Sequence, residues 1–314
     1  MINLNDIYIP NLKDLNNIYN KSEFCKRGRL NTGTRCQANC YFCYYKNQLN
    51  ADHLDLDIIK NEIDLLKSSG MTEIELSGGE STIHKDFFKI LDYIKEVGYE
   101  HSSMLSNGIK LANKEFIKKC KEHGINEILF SLHGSNAEKH NKLLGVKSFD
   151  KICQAIENAN DLGIIVRINC VIDNTFDNHK EYTELLKRFD IKQVNFLPLN
   201  YWDDAKNLDH FSYELSAMDH VKKFIDLNCN NYDINVRYVP LCYMKGYEKY
   251  CVSTLDHIFD LTDWNIQCFD LKEKQTVTLQ SMLDTAIQNR KSTYTKPREC
   301  KGCEHILRCD GYEK

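Results

Sequence analysis

Short apolar, β-branched runs alternate with amphipathic stretches between about residue 28 and residue 228. The runs predict strands at 29–35, 73–77, 101–105, 127–132, 164–172 and 193–197. The stretches between them predict helices at 56–69, 87–97, 114–123, 149–162 and 180–189. In the second of these, Phe87, Ile90, Leu91 and Ile94 recur at helical spacing, as a face packed on a sheet requires.

The order of these elements predicts an α/β fold. Gly70, Gly98, Gly124 and Gly163 follow four of the helices, where glycine commonly ends a helix. Repeated strand–helix units predict parallel strands joined by right-handed crossovers. About six units fit, which either an open doubly wound sheet or an incomplete barrel accommodates. We predict the partial (β/α)6 TIM-type barrel, and in both folds functional residues gather at the C-terminal ends of the strands.

The alternation stops near residue 230, which suggests three parts. We predict an N-terminal extension at residues 1–27, the barrel at residues 28–228, and a small cysteine-rich domain, called the tail below, at residues 229–314. In the last part, a strand is predicted at 234–240 and helical periodicity returns at 281–288. This part looks too short and polar for a large core of its own, and a bound metal or cluster would hold it together.

Composition excludes several classes of partner. The 314 residues carry 41 basic and 45 acidic side chains, a net charge of −4, which gives no broad attraction for a nucleic-acid polymer. No apolar stretch approaches the roughly 20 residues of a membrane span, and the N-terminus lacks the pattern of a signal peptide. We therefore expect a cytoplasmic protein without membrane or nucleic-acid partners.

The most informative residues are 14 cysteines, which in a reducing compartment are more often metal or cluster ligands than disulfides. Cys36, Cys40 and Cys43 lie within eight residues, directly after the first predicted strand. Three thiolates on one loop suit a [4Fe–4S] cluster with one iron left without a protein ligand. A structural zinc ion normally takes four ligands, and the nearest histidine along the chain is His53, so zinc stays the alternative.

A second motif makes the first one specific. The Cys36–Cys43 loop, with Phe42 before its third cysteine, is followed at the next strand end by Gly78-Gly79-Glu80. The pair resembles the radical S-adenosylmethionine (radical SAM) superfamily. The resemblance implies that the open iron binds the amino and carboxylate groups of S-adenosylmethionine. One electron then splits the sulfonium bond, which yields methionine and a 5′-deoxyadenosyl radical.

The resemblance also implies a set of cofactor-binding residues at successive strand ends. Glu80 would bind the methionine ammonium, the backbone of Phe42 the adenine, and Asn169 the ribose or carboxylate. A cationic ligand requires such a carboxylate, and glycines allow the close approach of another backbone. The complete set is Phe42, Gly78, Gly79, Glu80, Ser106, Ser131, Asn169 and Leu197.

Two positions depart from the family pattern. His133 stands where the family often has aspartate, and such a histidine is commonly a hydrogen-bonded structural residue. Leu144 replaces an arginine that pairs with the S-adenosylmethionine carboxylate, a contact for which Lys142 and Ser131 are the candidate substitutes.

The second cysteine group lies at the end of the chain. Cys300, Cys303 and Cys309 have metal-binding spacing and resemble the SPASM and twitch extensions that hold auxiliary clusters. We expect one auxiliary [4Fe–4S] cluster, hence two clusters in all. Cys242 is the preferred fourth ligand and Cys268 and Cys251 are its rivals. A zinc knuckle, with His305 as a possible ligand, is the alternative.

These features predict an enzyme that abstracts a hydrogen atom from an organic substrate. About 28 residues precede the first strand, too few for a peptide-recognition domain, which favours a small molecule such as a modified nucleobase, nucleoside or sugar. A peptide delivered by a partner is the alternative substrate, and a non-enzymatic cluster or zinc protein is the alternative of another class. The electron would come from an external donor such as flavodoxin or ferredoxin. No catalytic acid or base is identified.

Overall fold

The computed structural model describes residues 23–43, 45–173, 176–198, 215–263, 266–267 and 276–313. Its main sheet has nine parallel strands in the order β8-β7-β6-β5-β4-β3-β2-β1-β9. The strands are β1 Arg27–Asn31, β2 Glu73–Ser77, β3 His101–Ser106, β4 Glu127–Ser131, β5 Ile165–Ile172, β6 Gln193–Pro198, β7 Asp233–Arg237, β8 Cys251–Val252 and β9 Ile266–Gln267. Strands β1 to β6 follow the chain order, so the α/β partial-barrel prediction is confirmed.

Helices connect the strands and cover the outer face of the sheet. They are α1 Leu56–Ser68, α2 Phe87–Val97, α3 Lys114–Glu122, α4 Ala137–Leu144, α5 Phe149–Asp161, α6 His179–Leu186, α7 Leu215–Asn228, α8 Thr254–His257 and α9 Leu279–Thr293. Near the end of the chain, the strands β10 Tyr294–Thr295 and β11 Tyr312–Glu313 form a small antiparallel pair. This pair closes the segment that carries Cys300, Cys303 and Cys309. None of the described helices is both long and apolar enough to cross a bilayer.

The apolar core lies between the sheet and these helices. Leu66 of α1 is fully buried above β1, and a Cβ added to Gly28 would lie 2.8 Å from its Cδ2 atom. A larger residue at Gly28 would therefore push α1 off the sheet. Because side chains alternate along a strand, Arg27, Arg29 and Asn31 point to the opposite, inner face.

Paired charges fill part of that inner face. Arg167 is completely buried and contacts Glu127 at 2.6 Å and Glu75 at 2.9 Å. Arg27 bonds the same Glu127 at 2.7 Å and Glu73 at 2.8 Å. Burial alone would raise the pKa of Glu127, but the His101 ring, whose Nε2 atom lies 3.3 Å from the carboxylate, and the charges of Arg167 and Arg27 lower it to about 2. Strands β1, β2, β4 and β5 are thus tied together by ion pairs inside the barrel.

The chain between β8 and β9 joins the two edges of the sheet and closes this ionic layer. Buried Arg237 bonds Asp260 at 2.7 Å and also pairs with Asp263. The carbonyl oxygen of Thr262 accepts a hydrogen bond from Arg27 at 2.8 Å. The tail therefore contributes to the interior of the barrel, and the proposed division at residues 228 and 229 does not separate two sheets. The residue 1–27, 28–228 and 229–314 division stays a prediction.

Some predicted element bounds were wrong for local reasons. The first strand ends at Asn31, because Gly33 has φ +113° and turns the chain away from the sheet. The seventh strand ends at Arg237, because Tyr238 has φ +59°. Helix α4 was not predicted, since its eight residues carry only a short apolar face. The predicted 180–189 and 281–288 helices are His179–Leu186 and Leu279–Thr293.

We expect the ionic layer to be essential for stability. Arg167→Met leaves Glu75 and Glu127 buried without this partner, and breaking such a pair costs about 3–5 kcal/mol of the free energy of unfolding. Arg188→Met is the matched control, because its pair with Glu157 has side chains 52% and 42% exposed and contributes less than about 1 kcal/mol. Urea unfolding measures both, and equal losses would contradict this account.

Candidate active site

The loop after β1 brings Cys36, Cys40 and Cys43 together. The Cys36 amide bonds the Leu49 carbonyl oxygen at 3.0 Å, and the Cys43 amide bonds that of Cys40 at 3.2 Å. All three cysteines are half-buried and have no disulfide partner. Burial, with the charges of Glu80 and Cys43, raises the pKa of Cys36 to about 11, and burial, with the charges of Cys43 and Cys36, raises that of Cys40 to about 12. A metal that binds these sulfurs would therefore displace their protons.

The surroundings of these sulfurs fit an iron–sulfur cluster. The Ala38 amide points at the Cys36 sulfur from 3.4 Å and the Asn107 side-chain amide from 3.7 Å. Such N–H donors to sulfur tune the potential of a cluster. In the described part of the chain, no three His, Cys, Asp or Glu side chains stand close enough to share one metal ion. A cluster makes a different demand, since each thiolate binds its own iron.

Helix α4 supports the loop that carries Cys36, Cys40 and Cys43, called the cluster loop below. The amides of Asn39 and Tyr41 donate to the carbonyl oxygens of Leu144 and Leu143, at 3.0 and 3.4 Å. The Leu144 side chain is fully buried in the core. The family's arginine position is thus occupied here by a packing residue. Whether Lys142 or Ser131 takes over the carboxylate contact stays a prediction.

Gly78 and Gly79 let the segment after β2 lie directly on the cluster loop. The Gly79 amide bonds the Gly33 carbonyl oxygen at 2.8 Å, and the Glu80 amide bonds that of Arg35 at 2.9 Å. A Cβ at Gly79 would lie 2.2 Å from the Arg35 carbonyl oxygen, and one at Gly78 2.3 Å from that of Gly33. Both glycines are required by this contact between two backbones.

The Glu80 carboxylate is buried and held by donors from two strand ends. Its Oε1 atom accepts the Thr82 hydroxyl at 2.6 Å, the Thr82 amide at 3.3 Å and the Ser106 hydroxyl at 2.9 Å. Its Oε2 atom accepts the Asn107 amide at 2.8 Å. Burial raises the pKa of Glu80 and these hydrogen bonds oppose that rise. A carboxylate has about four acceptor sites, two on each oxygen, so Oε2 can accept a further donor such as a ligand ammonium.

Ser106 and Asn107 both donate a hydrogen bond to Glu80, but only Asn107 also reaches the Cys36 sulfur. Ser106 is buried and reaches Glu80, which makes it a positioning residue in this structure. Asn107 touches both halves of the site, through its backbone to Glu80 and its side chain to Cys36. Asn107 is not in the set of residues predicted from the sequence. The signal was its place directly after Ser106, which is in that set.

The ends of β4, β5 and β6 place the remaining predicted residues side by side. Ser131 is level with Asn169, and Asn169 with Asn195, in the parallel register. The Asn195 amide donates to the Asn169 side-chain oxygen at 3.1 Å. Asn169 lies two residues beyond Arg167 of the ionic layer. Leu197 lies four residues beyond Gln193, which accepts a hydrogen bond from Arg167 at 3.3 Å, so both are on the same face. Ser131, Asn169 and Leu197 are half-buried at this inner face, and their contact with a cofactor stays a prediction.

His133 has a structural position. Its Nδ1 atom accepts the Val171 amide at 3.0 Å, and its ring meets the Phe42 ring edge-on with centroids 5.0 Å apart. Burial and the neighbouring His140 lower the pKa of His133 to about 3, so it is neutral at physiological pH. His133 thus joins the end of β5 to the cluster loop. The Tyr41 hydroxyl makes a second such link to Asp173, which sequence analysis did not identify.

The cysteines of the tail also gather. Cys300 interacts electrostatically with Cys309, Cys242 and Cys303, and these charges with burial raise its pKa. The Leu241 amide lies 3.4 Å from the Cys309 sulfur, which places the residue before Cys242 against it.

Two rivals of the preferred fourth ligand remain. Cys251 is also near Cys309, but it is only 2% exposed and its sulfur points at the Tyr247 carbonyl oxygen. Cys268 lies outside the described residues, and His305 is 3.7 Å from Glu248.

The structure combines a partial α/β barrel with a three-cysteine loop that is tied to a buried carboxylate at one end of the barrel. The family model described as "Radical SAM superfamily" matches residues 30–188, which is just over half of the 314-residue chain. The chain belongs to this superfamily and is a radical SAM enzyme. Members of the family use a [4Fe–4S] cluster and S-adenosylmethionine, and the residues described above fit both.

Individual relatives are more distant. A protein of Saccharolobus islandicus named "Probable GTP 3',8-cyclase" is 26% identical over 206 residues, 60% of this chain and 65% of the relative. One of the same name from Thermoplasma volcanium is 29% identical over 160 residues, 50% of this chain and 48% of the relative. The matches thus span less than two thirds of the length of either relative.

Solved structures share the fold over most of the chain. Streptococcus suis SuiB bound to S-adenosylmethionine superposes with a TM-score of 0.64 at 16% identity, covering 95% of this chain and 75% of that one. The anSMEcpe structure with bound AdoMet and Cp18Cys peptide gives 0.62 at 17% identity, covering 91% and 88%. At these identities the likeness shows the fold alone.

Proposed function

We propose that this enzyme cleaves S-adenosylmethionine reductively and abstracts a hydrogen atom from a small, nucleotide-like molecule. The modified nucleobase, nucleoside or sugar favoured by sequence analysis is supported by the similarity to proteins named GTP 3',8-cyclase. The observation that carries the proposal is the buried Glu80 carboxylate. It is tied by backbone bonds to the loop of Cys36, Cys40 and Cys43, and its Oε2 atom, which accepts the Asn107 amide, has one further acceptor site.

The residues of the site have distinct roles in this proposal. Cys36, Cys40 and Cys43 hold the [4Fe–4S] cluster, and Glu80 Oε2 accepts the ammonium of S-adenosylmethionine. When bound, the cluster would supply the one electron that splits the sulfonium bond, and an external donor such as flavodoxin or ferredoxin would replace that electron. Ser106 orients Glu80 through its 2.9 Å hydrogen bond, and Asn107 links the carboxylate to the cluster loop. Phe42, Ser131, Asn169 and Leu197 line the space in which the nucleoside part is expected.

The tail is proposed to hold one auxiliary [4Fe–4S] cluster through Cys242, Cys300, Cys303 and Cys309. The 3.4 Å approach of the Leu241 amide to the Cys309 sulfur, together with the electrostatic interaction of Cys300 with Cys309, Cys242 and Cys303, supports Cys242 as the fourth ligand. An auxiliary cluster could either bind the substrate or accept an electron from it. Four thiolate ligands leave no iron free to bind a substrate, so we favour the role of electron acceptor. The substrate would then lose one hydrogen atom to the adenosyl radical, one electron to the tail and one proton to solvent, a two-electron oxidation.

A peptide delivered by a partner is the second candidate substrate. SuiB, whose structure has also been solved bound to the precursor peptide SuiA, shares the fold over 95% of this chain. Membership in the radical SAM enzymes decides against the non-enzymatic alternative.

Formation of 5′-deoxyadenosine tests the function. We expect the reduced, reconstituted enzyme to release more of it when an anaerobic small-molecule extract is added, and protease treatment of the extract to make no difference. The Cys36→Ala, Cys40→Ala, Cys43→Ala triple variant should release none, because the open iron is lost. Stimulation that protease abolishes would favour the peptide substrate, and no release under any condition would refute the enzymatic proposal.

Iron content tests the ligands of the tail. The reconstituted protein should contain about eight irons per chain, the content of two [4Fe–4S] clusters. Cys242→Ala should lower this number towards about four, because one of four tail ligands is gone. Cys251→Ala is the matched control and should keep the full content. The reverse pattern would assign Cys251 in place of Cys242, and zinc in place of iron would refute the auxiliary cluster.

A further inference from the structure

Lys296 is a buried cation in the cysteine-rich tail, for which the proposed function has no use so far. It follows β10, and only 3% of its surface is exposed. Its ammonium donates to the carbonyl oxygen of Ile306. Its electrostatic neighbours include Cys309 and Cys300, two of the proposed cluster ligands. Lys296 thus carries its charge into the interior beside the tail cysteines.

No carboxylate forms an ion pair with Lys296 in the described part of the chain. Asp310, a carboxylate that interacts electrostatically with Lys296, pairs with Arg290 at 2.8 Å and accepts a hydrogen bond from the Thr254 amide at 2.7 Å. Burial, and then the charge of Arg290, lowers the pKa of Lys296 to about 8. A buried ammonium is costly unless a negative charge compensates it. Among the residues that the structure describes, no carboxylate supplies that charge through a direct contact with the Lys296 ammonium.

Arg290 places a second cation behind the same loop. Its guanidinium donates to the carbonyl oxygens of Leu307 at 2.9 Å and Arg308 at 3.1 Å, and also to that of Cys309. With Lys296 on Ile306, successive carbonyl groups before and at Cys309 face positive charge. Asp310 neutralises the charge of Arg290. Of the two cations Arg290 and Lys296, it is therefore Lys296 whose charge is available to another partner.

We propose that Lys296 is the charge partner of an anionic iron–sulfur cluster on Cys242, Cys300, Cys303 and Cys309, and that it stabilises the reduced form of that cluster. The proposal rests on the auxiliary cluster of the proposed function. Four thiolates give the site a net negative charge, which grows by one when the site takes up an electron. A fixed cation in a medium of low dielectric constant favours the more negative state. Lys296 is therefore a positioning residue that makes the tail a better electron acceptor.

The test compares two lysines next to the same cysteines. Lys296→Met removes the buried charge with little change in side-chain shape, whereas Lys301→Met removes an exposed charge between Cys300 and Cys303. Lys296→Arg keeps the charge. Each change is made in the full-length Cys36→Ala, Cys40→Ala, Cys43→Ala protein, so that only the tail cluster is present. Iron content and an EPR-monitored redox titration at pH 7 are the measurements.

We expect Lys296→Met to shift the midpoint potential to a more negative value, and Lys301→Met and Lys296→Arg to stay near the unsubstituted protein. If Lys296→Met fails to take up iron while Lys296→Arg takes it up, the requirement for charge is also supported. An unchanged potential in Lys296→Met, or loss of iron in both Lys296 variants, would overturn the inference. Absence of a tail cluster when Lys296 is intact would instead refute the auxiliary cluster itself.

Discussion

The contact between two stretches of backbone determines the architecture of this site. The Gly79 and Glu80 amides bond the Gly33 and Arg35 carbonyl oxygens, which continues the pairing of β1 and β2 past the ends of both strands. Because the first cysteine follows Arg35 directly, the same contact sets the distance between the cluster loop and the Glu80 carboxylate. The space is so tight that a single Cβ at position 79 would overlap the Arg35 carbonyl oxygen.

The rest of the barrel keeps that contact in place. Ion pairs among Arg27, Arg167, Glu75 and Glu127 tie four strands together below the site, where apolar packing alone would allow small shifts. The chain from β8 to β9 adds Asp260 and Asp263 to this layer and links the cysteine-rich tail to the barrel. The two cysteine groups are thus carried by one continuous ionic and hydrogen-bonded framework.

Periodicity and local motifs predicted much of the molecule. Helix α2 has the predicted bounds, because its apolar residues keep helical spacing up to Gly98, whose φ of +82° ends it. The Cys36–Cys43 loop and Gly78-Gly79-Glu80 are short motifs whose spacing carries the information. Contacts between distant segments could not be predicted in this way. The Asn107 bond to the Cys36 sulfur, the α4 carbonyl groups beneath Asn39 and the burial of Lys296 all depend on which elements become neighbours.

In the proposed function, the Gly79 contact places the cluster where Glu80 can hold S-adenosylmethionine. The most direct measurement is the change that S-adenosylmethionine causes in the EPR signal of the reduced cluster. Gly79→Ala should abolish this change, because its Cβ displaces the loop. Gly124→Ala should keep it, because a Cβ there meets nothing within 4 Å, even though the φ of +105° at Gly124 is itself unfavourable for alanine and Gly79 has no positive φ. An unaltered response in Gly79→Ala would contradict the account.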